Sequence, residues 1–148
     1  MKITIVTANR QKGKTDLALY EMSKKPNKTF YFSHYSKEAI NRFKNRVEDA
    51  KFELHNFLSY SNASILSMRP EVIIFDEFFF AKNYKKIWEA IMPLEPKKVF
   101  IFSSIRGQEI SKLKQTKLLG NKSIEKQEDL SFINTLKENY KAKHIKLK

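Results

Sequence analysis

Apolar positions fall along this chain in short blocks whose period changes from block to block. Residues 2–7 form a mostly β-branched run, and residues 29–33, 72–75 and 99–102 are further short runs of Val, Ile, Phe and Tyr. Runs of this length and composition predict buried strands. Residues 52–58 predict another strand. Ile65 and Leu66 predict a brief one before Pro70, and Ile145 and Leu147 a last edge strand. Between the runs the spacing turns helical. Residues 14–22 carry Leu17, Ala18 and Leu19, and Pro26 with Asn27 ends that unit. Ser36 is placed to cap a helix through about Asp49, with Ile40, Phe43 and Val47 on one face. Residues 84–92 predict a helix stopped by Pro93 and Pro96. Toward the end, residues 110–119 predict a helix ended by Gly120. Residues 128–141 predict another, with Leu130, Ile133, Leu136 and Tyr140 on one stripe. Strands alternating with helices predict an α/β fold with a mainly parallel sheet.

Composition narrows the class. The 148 residues suit one domain, with 41% hydrophobic residues to build its core. With no Cys there is no disulfide framework and no Cys-based zinc site. No apolar run reaches the roughly 18 residues of a membrane span, and residues 1–6 lack the h-region and cleavage site of a signal peptide. The expectation is an intracellular protein with no membrane partner. His34, His55 and His144 are scattered and suggest no metal cluster.

Charge adds a partner. Lys and Arg total 29 against 16 acids, a net charge of +13. That excess predicts a polyanionic partner, nucleic acid above all, held through its phosphates. Codon bias in an AT-rich genome is the competing source of the Lys excess. From residue 108 onward there are ten Lys, no Arg and five acids, so the tail carries +5 and residues 1–107 carry +8. The helix from Ser36 and this Lys-rich tail are the candidate contact regions. Only five residues are Arg and only three are Gly, so each of these marks a more specific need.

One Gly lies in Ala8-Asn9-Arg10-Gln11-Lys12-Gly13-Lys14-Thr15, between the first strand and the first helix. The ending Gly-Lys-Thr is that of a Walker A loop. There, backbone N–H groups and a helix N-terminus wrap phosphates, Lys14 neutralises the β and γ oxygens, and the Thr15 hydroxyl ligates Mg²⁺. Ala8 stands where that pattern has its first Gly. The plain alternative is a strand-to-helix turn that needs Gly for steric reasons. Residues 71–77, an apolar strand ending in Asp76-Glu77, have Walker B form. Asp76 would hold Mg²⁺, and Glu77 would act as general base on the attacking water. A solvated strand end or a helix-start cap is the alternative. Arg10 either stabilises charge on the γ-phosphate or pairs with Asp76, Glu77 or Asp16. Ser103-Ser104 end the next strand, as γ-phosphate sensors or as simple turn formers.

Together these residues resemble the ATPase domain of the terminase large subunit, the DNA-packaging motor of tailed phages. Terminases carry a deviant Walker A loop with Arg at its third position and without the first Gly, to which residues 8–15 are similar. The stretch Asp76-Glu77-Phe78-Phe79-Phe80-Ala81-Lys82-Asn83, then Ile87-Trp88-Glu89-Ala90-Ile91-Met92-Pro93, resembles the Walker B region and the Trp-containing helix after it. Ser103-Ser104-Ile105-Arg106-Gly107 looks like a weaker version of the coupling motif. The likeness covers about residues 1–107 of a single domain spanning 1–148. It implies a three-layer P-loop NTPase sandwich and Mg-ATP hydrolysis. In it Arg10 is a cis-acting arginine, Glu77 the catalytic base, Thr15 and Asp76 the Mg²⁺ ligands, and Ser103 and Ser104 the coupling residues. It also implies duplex DNA gripped without sequence preference, a homo-oligomeric ring, and a portal, separate nuclease or small subunit as partner. Terminase ATPase domains have a segment before strand 1 and a nuclease domain after. The expectation here is a motor core without either. Arg42, Arg69 and Arg106 are equal candidates for an arginine acting in trans. Two other readings stand beside this one: a non-catalytic basic nucleic-acid-binding or virion protein on a vestigial P-loop fold, and a thymidine-kinase-like nucleoside kinase.

Overall fold

The computed structural model describes residues 1–8, 13–46, 56–62, 69–106 and 116–147, with backbone alone at 46, 62 and 116–123. Asn9, Arg10, Gln11 and Lys12 of the predicted phosphate loop lie outside the described residues. So do Val47 to Asp49, the predicted strand at 65–66 and most of the one at 52–58.

Six strands form one sheet: β1 (Lys2–Thr7), β2 (Thr29–Ser33), β3 (Phe57–Ser59), β4 (Val72–Asp76), β5 (Lys98–Ser103) and β6 (Lys143–Lys146). Their order is β3-β2-β4-β5-β1-β6, and every neighbouring pair is parallel. The helices are α1 (Lys14–Lys24), α2 (Ser36–Arg46), α3 (Tyr84–Ile91) and α4 (Thr116–Tyr140).

Side chains of a strand alternate between the two faces of a sheet, so a sheet covered on both sides needs apolar residues at every position. That is the reason for the unbroken runs in β2 and β4, which are buried throughout. Val6, Tyr31, Val72, Ile74 and Phe102 pack on one face with Ala18, Leu19 and Met22 of α1 and with Ala39 and Phe43 of α2. Ile3, Ile5, Phe30, Phe32, Ile73, Phe75, Val99 and Ile101 pack on the other, with Ile87, Trp88 and Ile91 of α3 and Ile133 and Leu136 of α4. The result is the expected three-layer α/β arrangement. Trp88 is a core residue, meeting Phe132 and Tyr140 edge-on.

Two expectations are corrected. Residues 116–140 form one helix running through Gly120, with no break there. A glycine in a helix interior costs about 1 kcal/mol, too little to end a helix that continues into the buried Ile133 and Leu136. Ser36 is the first helical residue of α2, and the first bond of the helix runs from the Ala39 N–H to the Tyr35 carbonyl, which puts the cap position on Tyr35. Among the described residues no helix is long and apolar enough to cross a membrane.

Candidate functional site

All six strands point the same way, so the residues at their C-terminal ends meet along one edge. Thr7 of β1 pairs in register with Ser103 of β5, and Asp76 of β4 with Phe102 of β5. The chain leaves β2 toward β3 and leaves β4 toward β5, in opposite directions across the sheet. Such a switch point opens a crevice at the carboxyl ends of the strands, where open α/β sheets bind ligands.

Of the pieces singled out in the sequence, Gly13-Lys14-Thr15, Asp76-Glu77 and Ser103-Ser104 lie along this edge. Gly13 precedes α1 in a left-handed conformation (φ 77°, ψ 17°) that glycine adopts without cost. Among the described residues other than its chain neighbours, nothing lies within 4 Å of where a Cβ would stand. The need for glycine shown here is one of backbone conformation. Lys14 is buried, with its Nζ 3.3 Å from Glu77 Oε1. The Thr15 hydroxyl donates to Asp76 Oδ2 over 3.1 Å. The other Glu77 oxygen, Oε2, accepts the Ser104 backbone N–H at 3.3 Å. Three segments far apart in sequence thus meet here, Lys14-Thr15 some 60 positions from Asp76-Glu77 and Ser104 a further 27 from Glu77. Ala8 is buried and bonds the Ser103 carbonyl through its N–H.

The two serines at the end of β5 are held in different ways. The Ser103 hydroxyl donates to the Ser104 carbonyl and accepts the Phe79 N–H, so it ties the end of β5 to the aromatic turn Phe78–Phe80. It is the Ser104 backbone, with no part played by its hydroxyl, that reaches Glu77. Of the aromatic run, Phe78 and Phe79 are buried under the site and Phe80 is 47% exposed.

Three site residues escaped the sequence reading. Tyr31, buried in the middle of β2, donates its hydroxyl to Asp76 Oδ2 at 2.8 Å. Burial first, then the Asp76 charge, pushes its pKa well above the ordinary phenol value, so it stays a donor. Tyr60 donates to the Asp76 backbone carbonyl at 2.6 Å. His34, just past β2, lies with Nε2 3.0 Å from the Glu77 carbonyl, which requires Nε2 to carry the proton. Its ring packs against Tyr60 with centroids 4.8 Å apart. The one available signal was topological: in a parallel sheet, whatever follows β2 lands on the same edge as whatever follows β4.

Glu77 itself holds a left-handed backbone (φ 54°, ψ 49°), unusual for a non-glycine residue. Strain of that kind costs on the order of 1–3 kcal/mol and persists where surrounding bonds over-determine it. Here the Glu77 N–H bonds Phe102 O, its carbonyl meets His34, and its carboxylate meets Lys14 and Ser104.

Three buried polar side-chain atoms have no hydrogen-bond partner among the described residues: Ser33 Oγ, Asp76 Oδ1 and Ser104 Oγ. An unsatisfied buried polar group costs about 1–3 kcal/mol. All three belong to residues at or just past the C-terminal ends of β2, β4 and β5. With Oδ2 already accepting two hydroxyls, Asp76 keeps a whole oxygen without a donor. A divalent cation fits that atom: a hard cation takes oxygen ligands, and a carboxylate beside a Thr hydroxyl supplies two. Desolvation dominates the Asp76 carboxyl and raises its pKa, over the opposing bond from Tyr31, with Glu77 adding to the rise. A raised folded-state pKa means that the native state holds a proton more tightly than the unfolded chain. The ionised form therefore costs stability, a cost absent below the unfolded pKa and growing as pH rises through the folded one. Asp76→Asn is thus expected to melt above the wild type at pH 8 without divalent cation, with the gap closing toward pH 3. Mg²⁺ should raise the wild-type Tm alone. Thermal melts at three pH values with and without Mg²⁺ check this, and an unchanged or lower melting point for the variant at pH 8 refutes it.

Beside the carboxylates lies a pocket of about 310 Å³ lined by Thr15, Ser33, His34, Tyr35, Glu38, Ala39, Arg42, Asp76 and Glu77. Of the candidate trans arginines, Arg42 lines this pocket and pairs with Glu38 at 3.4 Å. Arg69 lies by Pro70 and Glu71, just before β4 and so at the opposite edge of the sheet. Arg106 is bound to Asp129.

Compared with known protein families, with curated proteins and with solved structures, the chain matches none.

Proposed function

We propose that this chain is a P-loop ATPase core of the terminase kind, hydrolysing Mg·ATP at the edge formed by β1, β4 and β5 and coupling that step to duplex DNA. The observation that carries the reading is the clustering, on one strand edge, of the buried Lys14, ion-paired to a part-exposed Glu77, with three buried polar atoms that have no partner among the described residues. Such groups are ordinarily paired in a native interior, and exceptions point to an unfilled ligand role.

In this reading the incoming phosphates draw Lys14 away from Glu77, since several phosphate oxygens outweigh one carboxylate. Glu77 is then released to accept a proton from water. Thr15 and Asp76 would hold Mg²⁺, which would supply charge neutralisation for the phosphates. Tyr31 keeps Asp76 oriented by occupying Oδ2. Arg10 offsets charge on the γ-phosphoryl group. The Ser104 N–H loses its carboxylate partner when Glu77 turns, which hands the nucleotide state to the segment after β5. Lys37, Arg42 and Lys44 on the exposed side of α2 supply phosphate contacts to DNA. A ring of copies around DNA, with a portal, nuclease or small subunit as partner, belongs to the same proposal.

ATP hydrolysis by the purified protein, with and without DNA, tests it. Turnover stimulated by DNA and lost in Lys14→Ala is the expected result. Absence of any nucleotide binding overturns the proposal in favour of a DNA-binding protein on a vestigial fold. The pocket beyond Asp76, with His34, Tyr35, Glu38 and Arg42 around it, is the specific feature that favours a second reading, a nucleoside kinase with its acceptor there. Phosphorylation of an added nucleoside would establish that reading instead.

A further inference from the structure

On the far side of His34 from that pocket lies a larger groove of about 810 Å³. Its floor is apolar, from Ala81, Ile87 and Ala90. Its walls carry Ser59, Ser61, Tyr60, Asn83, Lys82 and Lys86, with the exposed Phe80 at the rim. No described residue lining it is acidic, whereas the smaller pocket has Glu38, Asp76 and Glu77, and the adjoining groove, which shares Phe80, Lys82 and Lys86 with it, has Glu125 and Glu128. An exposed aromatic ring beside two lysines, in a groove with hydroxyl and amide groups, has the chemistry of a single-stranded nucleic-acid site. The cations take backbone phosphates, and a ring face takes an unpaired base whatever its identity. A base within a duplex has both faces covered and cannot stack on such a ring.

We propose that this groove holds an unpaired nucleic-acid strand, with a base on Phe80 and phosphates at Lys82 and Lys86, and that His34 reports its presence to Glu77. His34 lines both cavities, packs on Tyr60, and meets the Glu77 carbonyl. Tyr60 lines the groove and meets the Asp76 carbonyl. A strand that moves His34 therefore acts on the backbone of Glu77, and one that moves Tyr60 on that of Asp76. Binding in the groove stands on its own residues, while the effect on Glu77 rests on the ATPase reading above.

The test is fluorescence anisotropy with a labelled 15-nucleotide oligothymidine and the same sequence as a duplex, on the full chain. Lys82→Ala/Lys86→Ala is expected to weaken oligothymidine binding and to reduce the magnitude of the log–log salt slope by about 1.4, two phosphate contacts at about 0.7 each. Phe80→Ala is expected to weaken binding about tenfold with the salt slope unchanged, at the lower end of the stacking range. Phe80→Leu, which keeps apolar bulk but no ring face, should weaken it similarly. Lys2→Ala/Lys98→Ala, at the opposite edge of the sheet, controls for general charge and should bind as the wild type does. His34→Ala removes one groove wall, so at oligothymidine concentrations that saturate the variant it should still show no stimulation of ATP turnover by the strand. Undiminished oligothymidine binding in the Lys82/Lys86 and Phe80 variants, equal loss in the Lys2/Lys98 control, or an equal loss of duplex binding in the Phe80 variants overturns the groove. Retained stimulation in His34→Ala overturns the His34 link. If no variant or wild type hydrolyses ATP, the ATPase reading fails while the binding arms still decide the groove.

Discussion

Glu77→Gln is expected to lower ATP turnover about 10³-fold while leaving ATP binding measurable, the size of effect that removal of a positioned general base produces. The substitution keeps the shape of the side chain. A Gln oxygen still accepts the Ser104 N–H, and the left-handed backbone at 77 is held by the Phe102 carbonyl and by His34, neither of which the change touches. What is lost is the ability to take a proton, and with it the ion pair to Lys14. Because that pair has to open before Lys14 can meet phosphate, the variant should bind ATP at least as tightly as the wild type. Phosphate release and a titration with a fluorescent ATP analogue separate the two quantities. Turnover at the wild-type rate removes Glu77 from the chemistry. Joint loss of turnover and binding makes it a structural partner of Lys14 instead.

The fold was largely legible because each strand is short, apolar and bounded, and because covering both faces of a parallel sheet forces continuous apolar runs. Val72 to Phe75 shows this best: every residue is buried, with Ile73 and Phe75 on one face and Val72 and Ile74 on the other. The site was legible where its chemistry is local. Gly13-Lys14-Thr15 and Asp76-Glu77 are each read from a few adjacent residues. Tyr31, His34 and Tyr60 were not, since nothing in their own neighbourhoods marks them. They matter because β2 lies beside β4, and strand order is a property of the whole sheet. The helix break expected at Gly120 failed for a related reason. A local preference of about 1 kcal/mol yields to packing that the local sequence does not display.

The same distinction separates Arg106 from the other arginines. By sequence it stands two residues after Ser104 and reads as a candidate arginine acting in trans. In the structure its guanidinium makes a 2.7 Å contact with Asp129, which has no exposed surface, and reaches Glu128 at 3.4 Å. Its backbone N–H also bonds Asp129, as does the Tyr84 hydroxyl, and its guanidinium lies over the Tyr84 ring. Burial alone would lower the Arg106 pKa, but the Asp129 bonds and charge outweigh it and raise it, so this is a fixed pair in the wild type. The pair fastens α4 to the end of β5, directly behind the Ser104–Glu77 contact. Removing one partner of a buried pair leaves a charge without compensation, at a cost of about 3–5 kcal/mol. The Arg106 side chain is 20% exposed, and Asp129 keeps two other donors, so the lower figure applies. Arg106→Ala is therefore expected to lose about 3 kcal/mol, a Tm drop of about 6–12 °C for a chain of this length. Asp129→Asn added to Arg106→Ala should restore most of that loss, because an amide needs no counter-charge and still accepts from Tyr84. Thermal melts of the two variants decide the matter. If Arg106→Ala melts with the wild type and yet loses turnover, the residue acts on nucleotide and not on the fold. A melting defect that the second substitution repairs identifies Arg106 as the clasp between α4 and the end of β5.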